Sequence, residues 1–99
     1  MSQKFILRGH NVIPSDNLLA WADWLEHTDR RVASTIIQSG VGIVVSTVFL
    51  GLDYHILFET MCFGGVLDSE QVRYSTWKQA VKGHEEMVSR VYNTIIAKE

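Results

Sequence analysis

The sequence predicts an α+β domain in which an antiparallel sheet of four to five strands carries two helices. The chain has 99 residues, enough for one domain, and we expect that domain to span 1–99. Strand-like and helix-like segments follow one another in the order β-α-β-β-β-α. Short turns join the central strands, as in antiparallel sheets, whereas parallel strands need long crossover connections. These observations favour helices packed on an antiparallel sheet.

The N-terminal third is predicted to contain one strand and one helix. A strand over 4–7 precedes a loop that contains Gly9, Asn11 and Pro14. Ser15 or Asp16 can cap the helix that follows, which we expect to end near His27. At 100° per residue, one stripe of this helix is apolar and predicts its buried side: Leu18, Trp21, Ala22 and Leu25.

The remainder of the chain is predicted to contain three strands, a short edge strand and a long helix. The strands are expected over 31–37, 43–50 and 55–63, with a turn at Gly51-Leu52-Asp53-Tyr54 and the edge strand over 71–74. Thr76 and Gln79 have capping-box spacing, so a helix is expected over 77–97. Its predicted buried stripe is Trp77, Ala80, Val81, His84, Val88, Val91 and Ile95.

The strand over 43–50 is apolar on both faces, which predicts self-association. One face carries Ile43, Val45, Thr47 and Phe49, and the other carries Val44, Ser46, Val48 and Leu50. A sheet covered on one side alternates apolar and polar residues. Because two helices cover one face and little more, we expect a second subunit to hide the other face. The alternative is that the helices lie on opposite faces of the sheet.

Composition excludes several classes of protein. Apolar residues make up 46% and charged residues 20%, which is not the composition of a disordered chain. The net charge of −2 lacks the basic excess of nucleic-acid-binding proteins, and no apolar run is long enough to span a membrane. A single cysteine, Cys62, indicates an intracellular protein, and histidine spacing gives no zinc motif. We therefore expect no metal or other cofactor, no nucleic-acid partner and no membrane partner.

Two polar residues interrupt apolar patterns and are candidates for chemistry. His84 lies in the apolar stripe of the last helix, as an acid/base group or as a hydrogen-bonded core residue. Glu59 interrupts an apolar strand face, and Arg73, Arg31 or His84 can act as its partner. A rim carboxylate or an inter-strand ion pair is the structural alternative. The serines and glycines form neither a nucleophile elbow nor a phosphate-binding loop.

Arginines and aromatic residues near the ends of the predicted elements indicate a phosphorylated ligand with a base. Guanidinium groups bind phosphate through two hydrogen bonds, and aromatic faces stack on bases. The alternative is ordinary surface arginines and rim aromatics, which are common at interfaces. The predicted ligand-binding residues are Arg8, Arg31, Tyr54, Glu59, Arg73, Tyr74, Trp77 and His84.

Three strings of residues resemble those of a known group of sequences. They are STVFLGLD at 46–53, LFETMCFGG at 57–65, and RYSTW at 73–77 followed by Gly83-His84. Together they resemble a family of small uncharacterised proteins of tailed bacteriophages and prophages. The resemblance covers about residues 31–91. Members often carry a longer Gly/Pro-rich insertion between the two hairpin strands, whereas Tyr54-His55-Ile56 makes this connection short. A site built on that insertion would therefore differ here.

The resemblance implies a phage protein acting in the host bacterial cytoplasm, and small oligomeric accessory phage proteins are often counter-defence factors. We expect a protein that is not an enzyme and that sequesters a small nucleotide-derived immune signal between subunits of a homo-oligomer. One alternative is an inhibitor, similar to anti-CRISPR proteins, that binds a host defence protein. Another is a small hydrolase that uses His84 and Glu59. A virion part or a regulator of host takeover also fits a phage origin.

Overall fold

The predicted α+β fold is confirmed. The computed structural model describes residues 3–97, apart from the side chains of residues 38, 39 and 41. The elements are β1 (Lys4–Arg8), β2 (Asn11–Ser15), α1 (Leu18–His27), β3 (Arg31–Ser39), β4 (Val41–Asp53), β5 (Ile56–Phe63), β6 (Gln71–Tyr74) and α2 (Trp77–Ile96). The first two strands form an antiparallel hairpin, and the other four form an antiparallel sheet in the order β3-β4-β5-β6.

Helix α2 packs across all four strands of the larger sheet, on one face only. The side chains beneath it are the predicted set from β4, namely Ile43, Val45, Thr47 and Phe49, and all four are buried. One core cluster forms around Val45, Met87 and Val91, and a second forms around Phe49 and Phe58. Burying these side chains supplies the main driving force for folding.

The segment predicted as a loop through Gly9, Asn11 and Pro14 is instead a hairpin, so that prediction was wrong. Gly9 has a φ of 61°, which glycine adopts without strain, and the turn that contains it brings β2 back beside β1. Pro14 pairs with Phe5 in an edge strand, where its missing N–H breaks no sheet ladder. The hairpin packs against β4.

Helix α1 ends at His27 as predicted, but its cap and its buried side differ from the prediction. Asn17 is the N-cap, and its side-chain oxygen accepts a hydrogen bond of 3.0 Å from the N–H of Ala20. Trp21 is the one buried residue of the helix, and its indole N–H donates to the Phe5 carbonyl at 2.9 Å. The helix packs on the narrow hairpin rather than the large sheet, so Leu18 remains exposed.

The predicted start of α2 is confirmed, and its buried stripe is rotated slightly from the prediction. Thr76 caps the helix by accepting from the N–H of Gln79, while the Gln79 side chain accepts from Ser75 rather than from Thr76. Ala80, His84 and Val91 are buried as predicted, but Val81 is exposed and Met87 is buried. Gly83 lies against the ring of Tyr74, which occupies the space that a side chain would need.

Strand β4 runs through the residues predicted as its turn, which lies instead at Tyr54 and His55. The register between β4 and β5 shifts between Phe49 and Asp53, and Gly51 lies in this irregular part with a φ of 63°. The side chain of Asp53 accepts hydrogen bonds from the N–H groups of His55 and Ile56. This local bonding places the turn at Tyr54 and His55, so it begins three residues beyond the glycine.

The sheet face opposite α2 is open to solvent at one end. Ile36 is 65% exposed and Phe63 is 50% exposed, although both lie in regular strands of an apolar sheet. Because α2 covers one face and α1 packs on the hairpin, the alternative with a helix on each face is wrong. We call this surface the bare face; it carries Arg31, Ser34, Ile36, Val44, Ser46, Val48, Glu59, Met61, Phe63, Gln71 and Arg73.

Candidate functional site

The strand register arranges the bare face in three rows that run across the strands. The charged row is Arg31, Val48, Glu59 and Arg73; the serine row is Ser34, Ser46, Met61 and Gln71; the apolar row is Ile36, Val44 and Phe63. Neighbouring strands lie about 4.8 Å apart, and successive rows about 7 Å apart. The face is therefore charged at one end and apolar at the other, and the row between them has two serines on β3 and β4 and longer side chains on β5 and β6.

Glu59 and Arg73 form an ion pair between β5 and β6. The guanidinium Nε lies 3.0 Å from a carboxylate oxygen of Glu59. The carboxylate is largely shielded, with 14% of the side chain exposed, whereas the arginine is 47% exposed. Of the three partners considered for Glu59, the structure places Arg73 beside it. The arrangement is the inter-strand ion pair that was the alternative to a chemical role for Glu59. The arginine of the pair still contacts solvent.

Arg31 lies at the other edge of the charged row, on β3. Its Nε and Nη2 each donate to a different carboxylate oxygen of Asp29, both at 3.0 Å. These hydrogen bonds lower the pKa of Asp29 to about 2. Both side chains are exposed, so water and salt weaken the pair. Arg31 can therefore exchange this partner for a stronger anion such as a phosphate.

His84 belongs to α2 and is buried against the opposite side of the sheet, where two threonine hydroxyls contact its ring. Its Nε2 is 2.8 Å from the hydroxyl of Thr35, and its Nδ1 is 2.8 Å from the hydroxyl of Thr47. Thr47 also hydrogen bonds to Thr60. Burial lowers the pKa of His84 because the imidazolium would lose its hydration there. This placement agrees with the hydrogen-bonded core histidine considered as the structural alternative.

The pair proposed for a hydrolase is not brought together. His84 contacts Thr35 and Thr47 under α2, whereas Glu59 pairs with Val48 on the bare face. The sheet separates the two side chains, so they cannot act on one substrate atom, and geometry is the first requirement for a general acid or base. The hypothesis of a His84–Glu59 hydrolase therefore loses its catalytic pair.

The predicted aromatic and hairpin residues lie away from the charged row. Trp77 stacks face to face with His10 at 3.8 Å between ring centroids, and its edge meets Phe58. Tyr74 lies on the α2 side against Gly83, and Tyr54 contacts Phe5 edge to face. Arg8 is exposed at the end of β1. The eight predicted ligand residues thus divide among the bare face, the core under α2 and the hairpin region.

Sequence reasoning missed two groups of polar residues at the sheet. Thr35 hydrogen bonds to His84, Thr60 hydrogen bonds to Thr47, and Ser34 lies beside Ser46 on the bare face. The signal was present in the strands, because each hydroxyl interrupts an apolar run. The sequence alone, however, does not show which hydroxyls of different strands lie on the same face, because that depends on the strand register.

Cys62 is a small core residue on β5. It is buried beneath α2, and burial raises the pKa of its thiol, which disfavours the reactive thiolate. Among residues 3–97, no group of three or more metal-ligating side chains comes together. No helix in the described part of the chain is long and apolar enough to cross a membrane.

Comparison with known proteins adds no relative to this description. No model of a known protein family, no curated protein and no solved structure matches the chain. The residues of the bare face are therefore the structural basis for inferring how this chain binds a ligand.

Proposed function

We propose that this chain is a phage counter-defence protein that forms a homo-oligomer and sequesters a small nucleotide-derived immune signal between its subunits in the host bacterial cytoplasm. Binding alone accomplishes this task, so the proposed protein is not an enzyme and needs no cofactor. The phage origin and the biological role come from the resemblance in the strand motifs. The mode of binding is argued from the bare face.

One observation carries the proposal: two arginines lie at opposite edges of one row of the bare face, beside a row that contains two serines. Arg31 and Arg73 are both exposed and face the side that no helix covers. Guanidinium groups bind phosphate oxygens through paired, charge-assisted hydrogen bonds. A phosphorylated ligand on this face therefore has a cation available on either side of it.

The serine row provides room for the rest of such a ligand. Ser34 and Ser46 are paired neighbours on β3 and β4, and their short side chains leave a shallow surface bordered by Val44 and Val48. Their hydroxyls can donate to or accept from a ribose or a base. The row lies about 7 Å from the arginines, a distance that the sugar of a nucleotide can bridge. A second subunit over this face would enclose the ligand.

Replacing Arg73 should reduce ligand capture without loss of the fold. Losing its charge-assisted hydrogen bonds, each worth about 1.5–3 kcal/mol, should weaken binding at least tenfold. We would purify wild-type protein and Arg73→Ala from bacteria, heat the samples and measure released phosphorylated molecules by mass spectrometry. The matched control is Arg90→Ala, because Arg90 is a similarly exposed arginine that pairs with Glu70 away from the bare face.

Intact phosphorylated molecules released from the wild type and from the Arg90 variant, but not from the Arg73 variant, would support the proposal. Equal amounts from all three proteins would remove Arg73 from the site. If the wild-type protein is expressed in bacteria that produce such signals and releases no phosphorylated molecule on heating, the result would contradict sequestration.

The exposed apolar row favours one second candidate function. Ile36 and Phe63 offer an apolar contact of the kind that protein partners bury, so an inhibitor of a host defence protein remains the alternative. It predicts that Ile36→Lys abolishes counter-defence in an infected host while Arg73→Ala leaves it intact. The sequestration proposal predicts that Arg73→Ala abolishes it.

A further inference from the structure

The single chain exposes more surface than its mass requires. Its accessible surface is 6422 Å², whereas a compact monomer of 11.3 kDa exposes about 5,700 Å². The Cα radius of gyration is 15.1 Å, against about 12.6 Å for a compact domain of this length. The surplus of about 700 Å² is close to the roughly 800 Å² that each partner buries in a standard protein interface.

Charges on the bare face restrict how a second copy can cover it. The charged row has Arg31 on β3, Val48 on β4, Glu59 on β5 and Arg73 on β6. A two-fold axis parallel to the strands and through the middle of the sheet would place Arg31 over Arg73. An axis along β5 would place Glu59 over Glu59 of the second copy. Both of these axes bring like charges together. An axis along β4 exchanges the positions over β3 and β5, and therefore places Arg31 of each copy over Glu59 of the other.

The same axis along β4 also matches the other two rows. In the apolar row it places Ile36 over Phe63 of the second copy, and Val44 over Val44 of the second copy. These are the most exposed apolar side chains of the face, so their contact removes the most apolar surface from water. In the serine row it places Ser46 over Ser46 of the second copy, and Ser34 over Met61 of the second copy.

We infer that two copies of this chain pack their bare faces together around a two-fold axis along β4, with Arg31 of each copy paired to Glu59 of the other. The inference deepens the proposed function, which requires a homo-oligomer, by naming the surface through which the subunits contact each other. Arg73 then lies at the rim beside Glu59 and Arg31 of the second copy. Two guanidinium groups from different copies thus flank the Glu59 carboxylate at each rim, and each guanidinium group can donate hydrogen bonds to a phosphate there.

Two charge-reversal variants test the pairing directly. Arg31→Glu places two carboxylates opposite each other at both cross-contacts, and Glu59→Arg places two guanidinium groups there. We expect each variant alone to dissociate to monomer at micromolar concentration, since like charges in contact cost several kcal/mol. In an equimolar mixture both cross-contacts of the mixed dimer are attractive, so native mass spectrometry should detect the mixed dimer. Variants that stay dimeric alone, or a mixture that stays monomeric, would overturn the inference.

A substitution in the apolar row makes the test independent of the largely shielded Glu59. Ile36→Lys adds a charge to an exposed side chain, so the monomer should fold while the dimer is lost. Leu19→Lys is the matched control, because Leu19 is 81% exposed on α1, outside the bare face. The inference predicts a monomer for the first and a dimer for the second. A dimeric Ile36→Lys protein with native circular dichroism would contradict it.

The same samples separate this inference from the proposed function. A wild-type dimer that behaves as described but releases no phosphorylated molecule would contradict sequestration and leave the interface intact. A wild-type protein that releases such molecules while its Arg31 and Glu59 variants remain dimeric would contradict the interface and leave sequestration intact.

Discussion

Gly51→Ala should lower the free energy of unfolding by about 3 kcal/mol or more. Gly51 has a φ of 63°, a conformation that costs an L-residue about 1–2 kcal/mol. A Cβ there would collide with the carbonyl oxygen of Phe5 and come within 2.7 Å of the Phe49 ring. The collision adds an overpacking cost of about 1–3 kcal/mol, because hairpin and sheet must separate to relieve it.

Gly9→Ala is the matched control for this prediction. Gly9 has nearly the same backbone conformation, with a φ of 61°, but nothing lies within 4 Å of a Cβ built on it. Gly9→Ala should therefore lower the free energy of unfolding only by the backbone cost of about 1–2 kcal/mol. Urea denaturation of both variants measures the difference, and equal losses would show that the contact between hairpin and sheet at Gly51 contributes nothing.

Replacing His84 should destabilise the protein and change how its stability depends on pH. His84→Gln cannot reproduce both hydrogen bonds to Thr35 and Thr47, which should cost about 1–3 kcal/mol at pH 7.5. In the wild type, burial lowers the pKa of His84 below the ordinary 6.5. Below that pH the unfolded chain binds a proton that the folded chain refuses. Stability should therefore fall by up to about 1.4 kcal/mol per pH unit until the folded-state pKa is reached.

The pH slope has its own control. His55 is exposed in the β4–β5 turn, away from His84, so His55→Gln should keep the wild-type loss of stability below pH 6.5. His84→Gln should show less of that loss. Urea denaturation at a series of pH values measures it. If the slope persists in the His84 variant, another group is responsible and the histidine is not held neutral by burial.

Local sequence patterns predicted the central sheet well because its strands are long and regular. The face of β4 that carries Val45 and Thr47 was identified from alternation alone, and α2 covers that face. The capping residue Thr76 was also identified, since its spacing to Gln79 is a local signal. The hairpin at Gly9 escaped prediction because Pro14 argues against a strand, and only its edge position makes it acceptable.

The candidate site was only partly predictable because it depends on register. The sequence indicated that Glu59 needs a partner, and Arg73 was among those considered. It could not show that Arg31 lies in the same row, since that requires the pairing of three strands. Trp77 matched the chemistry of base stacking, yet the structure stacks it on His10 instead. Composition selects suitable residue types, and only the strand register shows which of them meet.

The central claim is that the bare face is a contact surface between copies of this chain, and native mass spectrometry of the wild-type protein purified from bacteria tests it most directly. We predict an assembly containing an even number of 11.3 kDa chains at micromolar concentration. A lone 11.3 kDa chain under the same conditions, with native circular dichroism and no tendency to associate, would contradict the claim.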